Sequence, residues 1–251
     1  MLDAPHVVVT GGLDPLGGAG ILRDAITAKQ HGMACAVIGT AWTRQDRSAV
    51  RGIEPRHPDA VEAALREALP RACAVKIGMV PNAPIATAIR LALSDFAGAI
   101  VYDPVLMASS GHPLYVGEKT AIADLAHATT LVTPNLSEAA FFLGKTIDSA
   151  EDARLAARAL FEQLGVAVLV KGGHLRGEAV DSLCFRDGEE TFVLPRVPGE
   201  SPRGTGCALA TAIAIGLGWG KTLRDAIGGA KAWLADRIAA AHQVGDDWHL
   251  G

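Results

Sequence analysis

Aromatic residues make up only 5% of this 251-residue chain, although 49% of it is hydrophobic. Its apolar mass therefore lies in small and branched side chains, which suits helices packed closely on a parallel sheet. Cysteine is also scarce. The four residues, Cys35, Cys73, Cys184 and Cys207, are scattered, with no Cys-x-x-Cys and no metal-type Cys/His spacing. That leaves no cysteine-built metal site and makes a reducing cytoplasm the simplest compartment. Cys35 and Cys73 sit in apolar, strand-like runs and are expected in the core. No run of about 18 apolar residues occurs, so no membrane span is expected. Met1 to His6 shows neither the charged nor the apolar region of a secretory signal. Net charge is −4, and the absence of a basic stripe argues against a nucleic-acid partner.

What is present is an alternation of strand and helix. Short apolar runs at Val7–Thr10, Ala34–Gly39, Ala72–Gly78, Ala99–Tyr102, Thr130–Thr133 and Ala167–Val170 read as buried strands. Between them, Ala19–Lys29, residues 58–68 behind Pro58, and Ala83–Leu93 behind a capping Asn82 read as helices. A further helix opens at Ser149-Ala150-Glu151-Asp152, a capping box with Asp in the last place, and runs to about Leu164. Asp187-Gly188 between Ser182–Arg186 and Glu189–Leu194 signals a hairpin. Helices over 206–217 and 222–241 close the chain. With no linker, repeat or low-complexity tract, the expectation is one domain over residues 1–251, an α/β fold with a parallel sheet covered on both faces. Ligands then belong at the carboxyl ends of the strands.

The loops expected there carry the chemistry. Gly204-Thr205-Gly206-Cys207 precedes a small-residue helix. Glycines let backbone N–H groups converge, and a helix N-terminus adds partial positive charge, so the segment reads as an anion cradle with Cys207 at its rim. Thr10 to Gly20 holds five glycines, more than a turn requires, yet it is neither a P-loop nor a clean dinucleotide fingerprint. Asp24, one turn into the next helix, either faces a ligand or is a solvated helix residue. Asp103 ends a strand, and Asn135 and Glu138 follow the next one. Their oxygens suit Mg²⁺, which takes one or two carboxylates plus phosphate. Glu138 could equally offset a helix dipole, with Ser137 as cap. Lys171-Gly172-Gly173-His174 puts a lysine at a strand end, placed for phosphate or simply solvated.

These motifs occur in one order: Gly-x-Asp-Pro-x-Gly-Gly-Ala-Gly, Lys76-Ile77-Gly78-Met79, Asp103-Pro104-Val105, Thr133-Pro134-Asn135-x-x-Glu138-Ala139, Lys171-Gly172-Gly173-His174 and Gly204-Thr205-Gly206-Cys207. In that order, from about residue 6 to 242, the chain resembles the hydroxymethylpyrimidine/phosphomethylpyrimidine kinases of thiamine biosynthesis, within the ribokinase-like superfamily. The resemblance implies a three-layer α/β/α fold with a central, mostly parallel sheet, and ATP and Mg²⁺ as cofactors. The implied reaction is phosphorylation of the hydroxymethyl group of an aminopyrimidine, then of its monophosphate. Cys207 would hold the catalytic place, with Gly204, Thr205 and Gly206 as the anion hole and Thr205 also on the nucleotide. Gly11, Asp24, Gln45, Met79 and Val105 would take the pyrimidine, Lys171 and Asn135 the ATP phosphates, and Asp103 and Glu138 the metal. A thiol at a helix N-terminus has a lowered pKa, so a Cys207 thiolate is expected to accept the hydroxymethyl proton.

The chain departs from the family around this machinery. Leu13 and Leu16 replace small polar residues, Arg44-Gln45-Asp46 replaces Ala-Gln-Asn, with Trp42 and Arg47 nearby, Ser109-Ser110-Gly111 replaces Lys-Ser-Gly, and Arg203 stands where His is common. Arg44, Arg47 or Arg203 could supply the lost lysine's phosphate contact. Pyridoxal, also a hydroxymethyl heteroaromatic, is the alternative acceptor, and a non-catalytic ligand-binding or regulatory protein is the alternative of another class. The Gly/Ala-rich helices make a homodimer plausible. Residues around Gly199 could form a lid segment.

Overall fold

A computed structural model describes residues 4–46, 49–108, 110–173, 178–195, 202–244 and 247–251. Arg47, Ser109, His174 and the segment around Gly199 therefore lie outside the described residues. In chain order the elements are β1 (His6–Leu13), α1 (Gly20–Gln30), β2 (Ala34–Gln45), β3 (Val50–Pro55), α2 (Pro58–Ala68), β4 (Ala72–Ile77), α3 (Ala83–Ala92) and β5 (Ala99–Tyr102). They continue with α4 (Lys119–His127), β6 (Leu131–Val132), α5 (Leu136–Leu143), α6 (Ala150–Leu164) and β7 (Ala167–Lys171). The last are β8 (Ala179–Phe185), β9 (Gly188–Leu194), α7 (Thr205–Gly218), α8 (Leu223–Ala239), β10 (His242–Val244) and β11 (Asp247–His249).

The main sheet has nine strands in the order β3-β2-β1-β4-β5-β6-β7-β8-β9. Its centre, β2 to β7, is parallel throughout, whereas β3, β8 and β9 pair antiparallel at the two edges. Val7, Val8 and Val9 are all fully buried, as a strand covered on both faces requires. Val8 points into a core built with α2 to α6. Val7 and Val9 point into a second core built with α1, α7 and α8. This is the three-layer α/β/α arrangement expected from the sequence.

Local chemistry sets the helix ends. The Asn82 side chain accepts the Ile85 N–H at 3.1 Å, and Ser149 accepts the Asp152 N–H at 3.0 Å. Gly144 and Gly165 end α5 and α6 in the left-handed conformation. Several elements differ from expectation. β2 runs six residues past Gly39 to Gln45 and returns as β3, a hairpin with no turn dipeptide to announce it. α4 has no counterpart among the expected helices, and α5 answers only to the helix-dipole alternative for Glu138. The cap of α5 is Asn135, not Ser137: Asn135 accepts the Glu138 N–H at 2.9 Å while Glu138 accepts the Asn135 N–H at 2.7 Å. Cys35 and Cys73 are half-buried rather than core residues. Helix α7 is buried from Cys207 to Gly216, so its small apolar residues pack inside the chain and offer no face to a second copy.

Candidate active site

A cavity of about 740 Å³ opens at the carboxyl ends of the parallel strands. The end of β1 brings Gly11 and Gly12 to it, and the turn after β4 brings Gly78 and Met79. Asp103 arrives from β5, Asn135 and Glu138 from the β6–α5 junction, Lys171 from β7, and Gly204 to Cys207 from the start of α7. The structure thus brings every site residue expected from the sequence, from Gly11 and Gln45 to Thr205 and Cys207, onto the wall of one cavity.

The cradle at α7 is fixed by backbone contact. Gly204 has φ +78°, and a Cβ there would lie 2.2 Å from the Gly18 carbonyl oxygen. No other residue fits that conformation and that approach without displacing the first glycine loop. Gly206 faces the Lys171 ammonium, whose Nζ lies 3.3 Å from where a Cβ would sit. The open N-terminus of α7 and a lysine therefore converge on the same space, as anion binding requires.

Two lysines flank Cys207. Lys171 Nζ lies 2.5 Å from Asp103 Oδ1, and the Thr133 hydroxyl is 3.4 Å from the same oxygen. Burial works against the Lys171 charge, and Asp103 and Glu138 more than offset it, so the ammonium titrates above its ordinary range. Lys171 is therefore a paired lysine on the cavity wall rather than a solvated one. Lys76 Nζ lies 2.8 Å from Asp24 Oδ2, and Thr211 donates to Asp24 Oδ1 at 2.9 Å. Asp24 is fully buried, so the choice between ligand contact and solvated helix residue is replaced by a third role: at the cavity floor one oxygen is in an ion pair with Lys76 and the other accepts the Thr211 hydroxyl. Burial raises its carboxyl, and Lys76 and Thr211 pull the other way.

The expectation for Cys207 reverses. Burial pushes its thiol up to about 11, against the pull of Lys76, so at neutral pH the group is a thiol, not a thiolate. The helix N-terminus is present, but desolvation is the larger effect. Glu138, nearly sealed in the first turn of α5, is pushed up to about 7 by burial, with Lys171 opposing and Asp103 adding to the rise. The Glu138 carboxylate thus caps α5 and still borders the cavity, which joins the two roles left open for it.

Asp103 and Glu138 fit a cation that takes most of its ligands from elsewhere. Among the described residues no group of three or more His, Cys, Asp or Glu could hold a metal. Two carboxylates beside a phosphate cradle match the needs of Mg²⁺, which dehydrates reluctantly and binds through phosphates. Asn135 reaches the wall, but its side-chain oxygen is engaged in the α5 cap.

Strand alternation divides the β2 residues. Thr43 and Gln45 face the cavity, whereas Trp42 and Arg44 are exposed on the other face. Arg44 Nε pairs with Glu54 Oε1 at 3.1 Å, away from the site, which overturns the expectation of a phosphate contact there. Arg203 stays at the rim, its guanidinium 3.2 Å from Asp14 Oδ2. Sequence reasoning missed Asp14, Lys76, Asp181 and Lys231. Asp181 and Lys231 form a buried pair, 2.6 Å apart, at the far end of the cavity, and Asp181 also accepts the Gly172 N–H at 2.9 Å. Asp14 and Lys76 stand inside the ordered motifs, whereas Asp181 and Lys231 have no local signal.

Fold and site together define a small-molecule kinase of ribokinase-like architecture. The family profile described as phosphomethylpyrimidine kinase matches residues 14–250, and the chain belongs to that family. It is 39% identical over 241 residues to the hydroxymethylpyrimidine/phosphomethylpyrimidine kinase of Rhizobium meliloti strain 1021, covering 93% of this chain and 90% of that protein. The enzyme of the same description from Escherichia coli K12 is 34% identical, with 98% and 97% covered. Among solved structures, the phosphomethylpyrimidine kinase of Clostridium difficile 630 superposes with TM-score 0.77 at 29% identity, over 93% of this chain and 99% of that one. The Staphylococcus aureus pyridoxal kinase in complex with AMP-PCP and pyridoxal superposes with TM-score 0.85 at 26% identity, over 98% and 93%. No helix among the described residues is long and apolar enough to cross a membrane.

Proposed function

We propose that this protein is an ATP- and Mg²⁺-dependent kinase that phosphorylates the hydroxymethyl group of 4-amino-5-hydroxymethyl-2-methylpyrimidine and then converts the monophosphate to the pyrophosphate, in thiamine biosynthesis. The observation that carries this reading is the continuity of the cavity. One end is lined by Gly11, Met79, Val105 and Gln45, the other by Lys171 and Asp181, and the Gly204–Cys207 turn stands between them. The Rhizobium and Escherichia coli relatives are named for kinase activity on hydroxymethylpyrimidine and phosphomethylpyrimidine.

In this reading the flat heteroaromatic lies between Gly11, Met79 and Val105, with its hydroxymethyl group toward Cys207. The backbone N–H groups of residues 205–207 and the Lys171 ammonium meet the transferring phosphoryl group, whose charge spreads over its outer oxygens. Lys171 exchanges part of its contact with Asp103 for phosphate oxygen. A bond forms between the hydroxymethyl oxygen and the γ-phosphorus while the bond to the β-phosphate oxygen breaks, its electron pair leaving with ADP. The hydroxyl proton departs as that bond forms, because a loose transition state needs no preformed alkoxide. A thiol near pKa 11 is a poor standing base. Cys207 therefore relays the proton rather than waiting as thiolate: it takes the hydroxymethyl proton as its own thiol proton passes to an oxygen of the transferred phosphoryl group. Asp103 and Glu138 would hold Mg²⁺, which supplies charge neutralisation on the phosphates.

Pyridoxal is a second acceptor to be weighed, because the Staphylococcus aureus pyridoxal kinase superposes more closely than the Clostridium phosphomethylpyrimidine kinase, with TM-scores of 0.85 and 0.77. The test is product formation by mass, with the pyrimidine, its monophosphate and pyridoxal offered separately with Mg-ATP, alongside Cys207→Ala. Pyrophosphate from the pyrimidines, lost in the variant, supports the reading. Turnover of pyridoxal alone replaces the acceptor, and ATP-independent binding without turnover favours a non-catalytic protein. A homodimer in a cytoplasmic setting belongs to the same proposal. Light scattering of the purified protein tests the dimer.

A further inference from the structure

Asp14 is a four-way junction that the phosphoryl chemistry does not explain. Its carboxylate is buried, 4% exposed, at the rim of the acceptor end of the cavity. Oδ1 accepts the Leu16 N–H at 3.0 Å and a hydrogen bond from the Gln45 side-chain amide. Oδ2 accepts the Ala19 N–H at 3.1 Å and lies 3.2 Å from the Arg203 guanidinium. A carboxylate facing four donors is an acceptor on every side.

That fixes which way Gln45 points. An amide against a carboxylate must present its NH₂ group, because its carbonyl oxygen would be repelled. The Gln45 carbonyl oxygen is then left over, without a partner among the described residues, on a side chain that lines the cavity. Neighbouring polar side chains cannot take its place. The Thr43 hydroxyl donates to the Leu13 carbonyl at 2.8 Å, the Thr40 hydroxyl donates to the Met79 carbonyl at 2.7 Å, and Asp24 is held by Lys76 and Thr211.

We propose that Asp14 is a positioning residue that locks the Gln45 amide with its carbonyl oxygen toward the ligand, so that the acceptor site selects a heteroaromatic carrying an N–H donor, such as an exocyclic amine, over one carrying only acceptors there. This rests on the proposed function and adds the device that sets its specificity. Arg203 ties the device to the anion cradle, since it precedes Gly204 and holds the other Asp14 oxygen. An acceptor that a bound ligand covers without giving it a donor is a larger penalty than a missing contact, which is why such a device discriminates strongly.

The test is calorimetric binding, without nucleotide, of 4-amino-5-hydroxymethyl-2-methylpyrimidine and of the same compound with hydrogen in place of the amine. The wild type is expected to prefer the amine by about a hundredfold. Asp14→Asn frees the Gln45 amide to present either end, and the preference should fall to about fivefold or less. Asp14→Asn combined with Gln45→Glu should restore it, because the introduced amide can then donate to a carboxylate that still offers an acceptor to the ligand. Gln45→Glu alone sets two carboxylates against each other and should weaken binding of both compounds, so recovery in the double variant and not in Gln45→Glu alone is what a purely structural role for Asp14 does not predict. Gln45→Met, which leaves Asp14 and its loop contacts in place, should abolish the preference even if Asp14→Asn folds poorly. An undiminished preference in Asp14→Asn or Gln45→Met, or a double variant no better than the single, overturns the inference. Equal binding of both compounds by the wild type overturns the inference but leaves the proposed function standing, whereas binding of neither removes both.

Discussion

Lys76 and Lys171 look alike on paper and differ in the structure. Each lies at the carboxyl end of a parallel strand, each pairs with an aspartate, and each flanks Cys207. The Lys76–Asp24 side chains are 1% and 0% exposed, with Thr211 closing the second carboxylate oxygen. The Lys171–Asp103 side chains are 13% and 2% exposed, and the lysine faces the space in front of Gly206. A sealed pair has nowhere to exchange partners, so Lys76 and Asp24 serve the floor that holds α1, β4 and α7 together. A pair on a cavity wall can trade a carboxylate for a phosphate. Burial of the pair, not residue type or motif, separates scaffold from working cation.

The sharpest way to break this comparison is to delete each ammonium. Lys76→Met leaves Asp24 charged and sealed, and breaking a buried pair in that way costs about 3–5 kcal/mol of stability. Urea unfolding checks it, and Asp24→Leu on top of Lys76→Met should recover much of the loss. Lys171→Met leaves Asp103 beside a cavity that water can enter, so unfolding should lose only about 1–2 kcal/mol. Its kcat/KM with Mg-ATP should nevertheless fall about 10²–10³-fold, as when a donor to transition-state charge is removed. Equal stability losses in the two variants would erase the distinction.

This division was only half legible in the sequence. The strand–helix alternation, the Asp187-Gly188 hairpin and the caps at Asn82 and Ser149 are local signals, and each stands where expected. The ordered motifs bring Asp103, Lys171 and Cys207 to one cavity. What the sequence could not show is who pairs with whom. Lys76 and Asp24 are 52 residues apart, and Lys171 and Asp103 are 68 apart. No local pattern spans such distances. The β2–β3 hairpin escapes because its turn region is polar and lacks a Gly dipeptide, and the start of α5 because Asn135 reads as a ligand while Ser137 reads as the cap. Cys207 shows the same limit. A helix N-terminus is visible in sequence and lowers a thiol's pKa, but the burial that raises it depends on the whole fold.

The Cys207 thiol offers a smaller effect that sharpens the contrast. Lys76 favours the thiolate, yet burial prevails and holds the group near 11. Below that value the thiolate fraction rises tenfold per pH unit, so at pH 8 it is about a hundredfold below that of a thiol at 9. Alkylation of Cys207 by iodoacetamide, read site by site by mass, should therefore keep rising with pH from 7 to 10 with no plateau near 9. In Lys76→Met the rate should fall further, because a cation that favours the thiolate is gone. A plateau below pH 8 would restore the thiolate reading.

The smallest effects separate two arginines rather than two lysines. Arg44 sits on the outer face of β2, in an exposed pair with Glu54 whose side chains are 70% and 59% accessible. Such pairs contribute little, and Arg44→Ala should leave the KM for the pyrimidine monophosphate within about twofold of wild type. Arg203 lies at the cavity rim with one guanidinium nitrogen on Asp14 and only 30% of its side chain exposed. Its remaining donors can reach an anionic acceptor, and loss of one partly solvated charge-assisted hydrogen bond corresponds to about a fivefold rise in that KM for Arg203→Ala. The unphosphorylated pyrimidine, which has no phosphate to meet, should show a smaller rise. Equal rises for the two acceptors would mean that Arg203 acts through Asp14 alone. An Arg44 variant impaired only with the monophosphate would mean that the outer face of β2 turns toward the site when the acceptor binds.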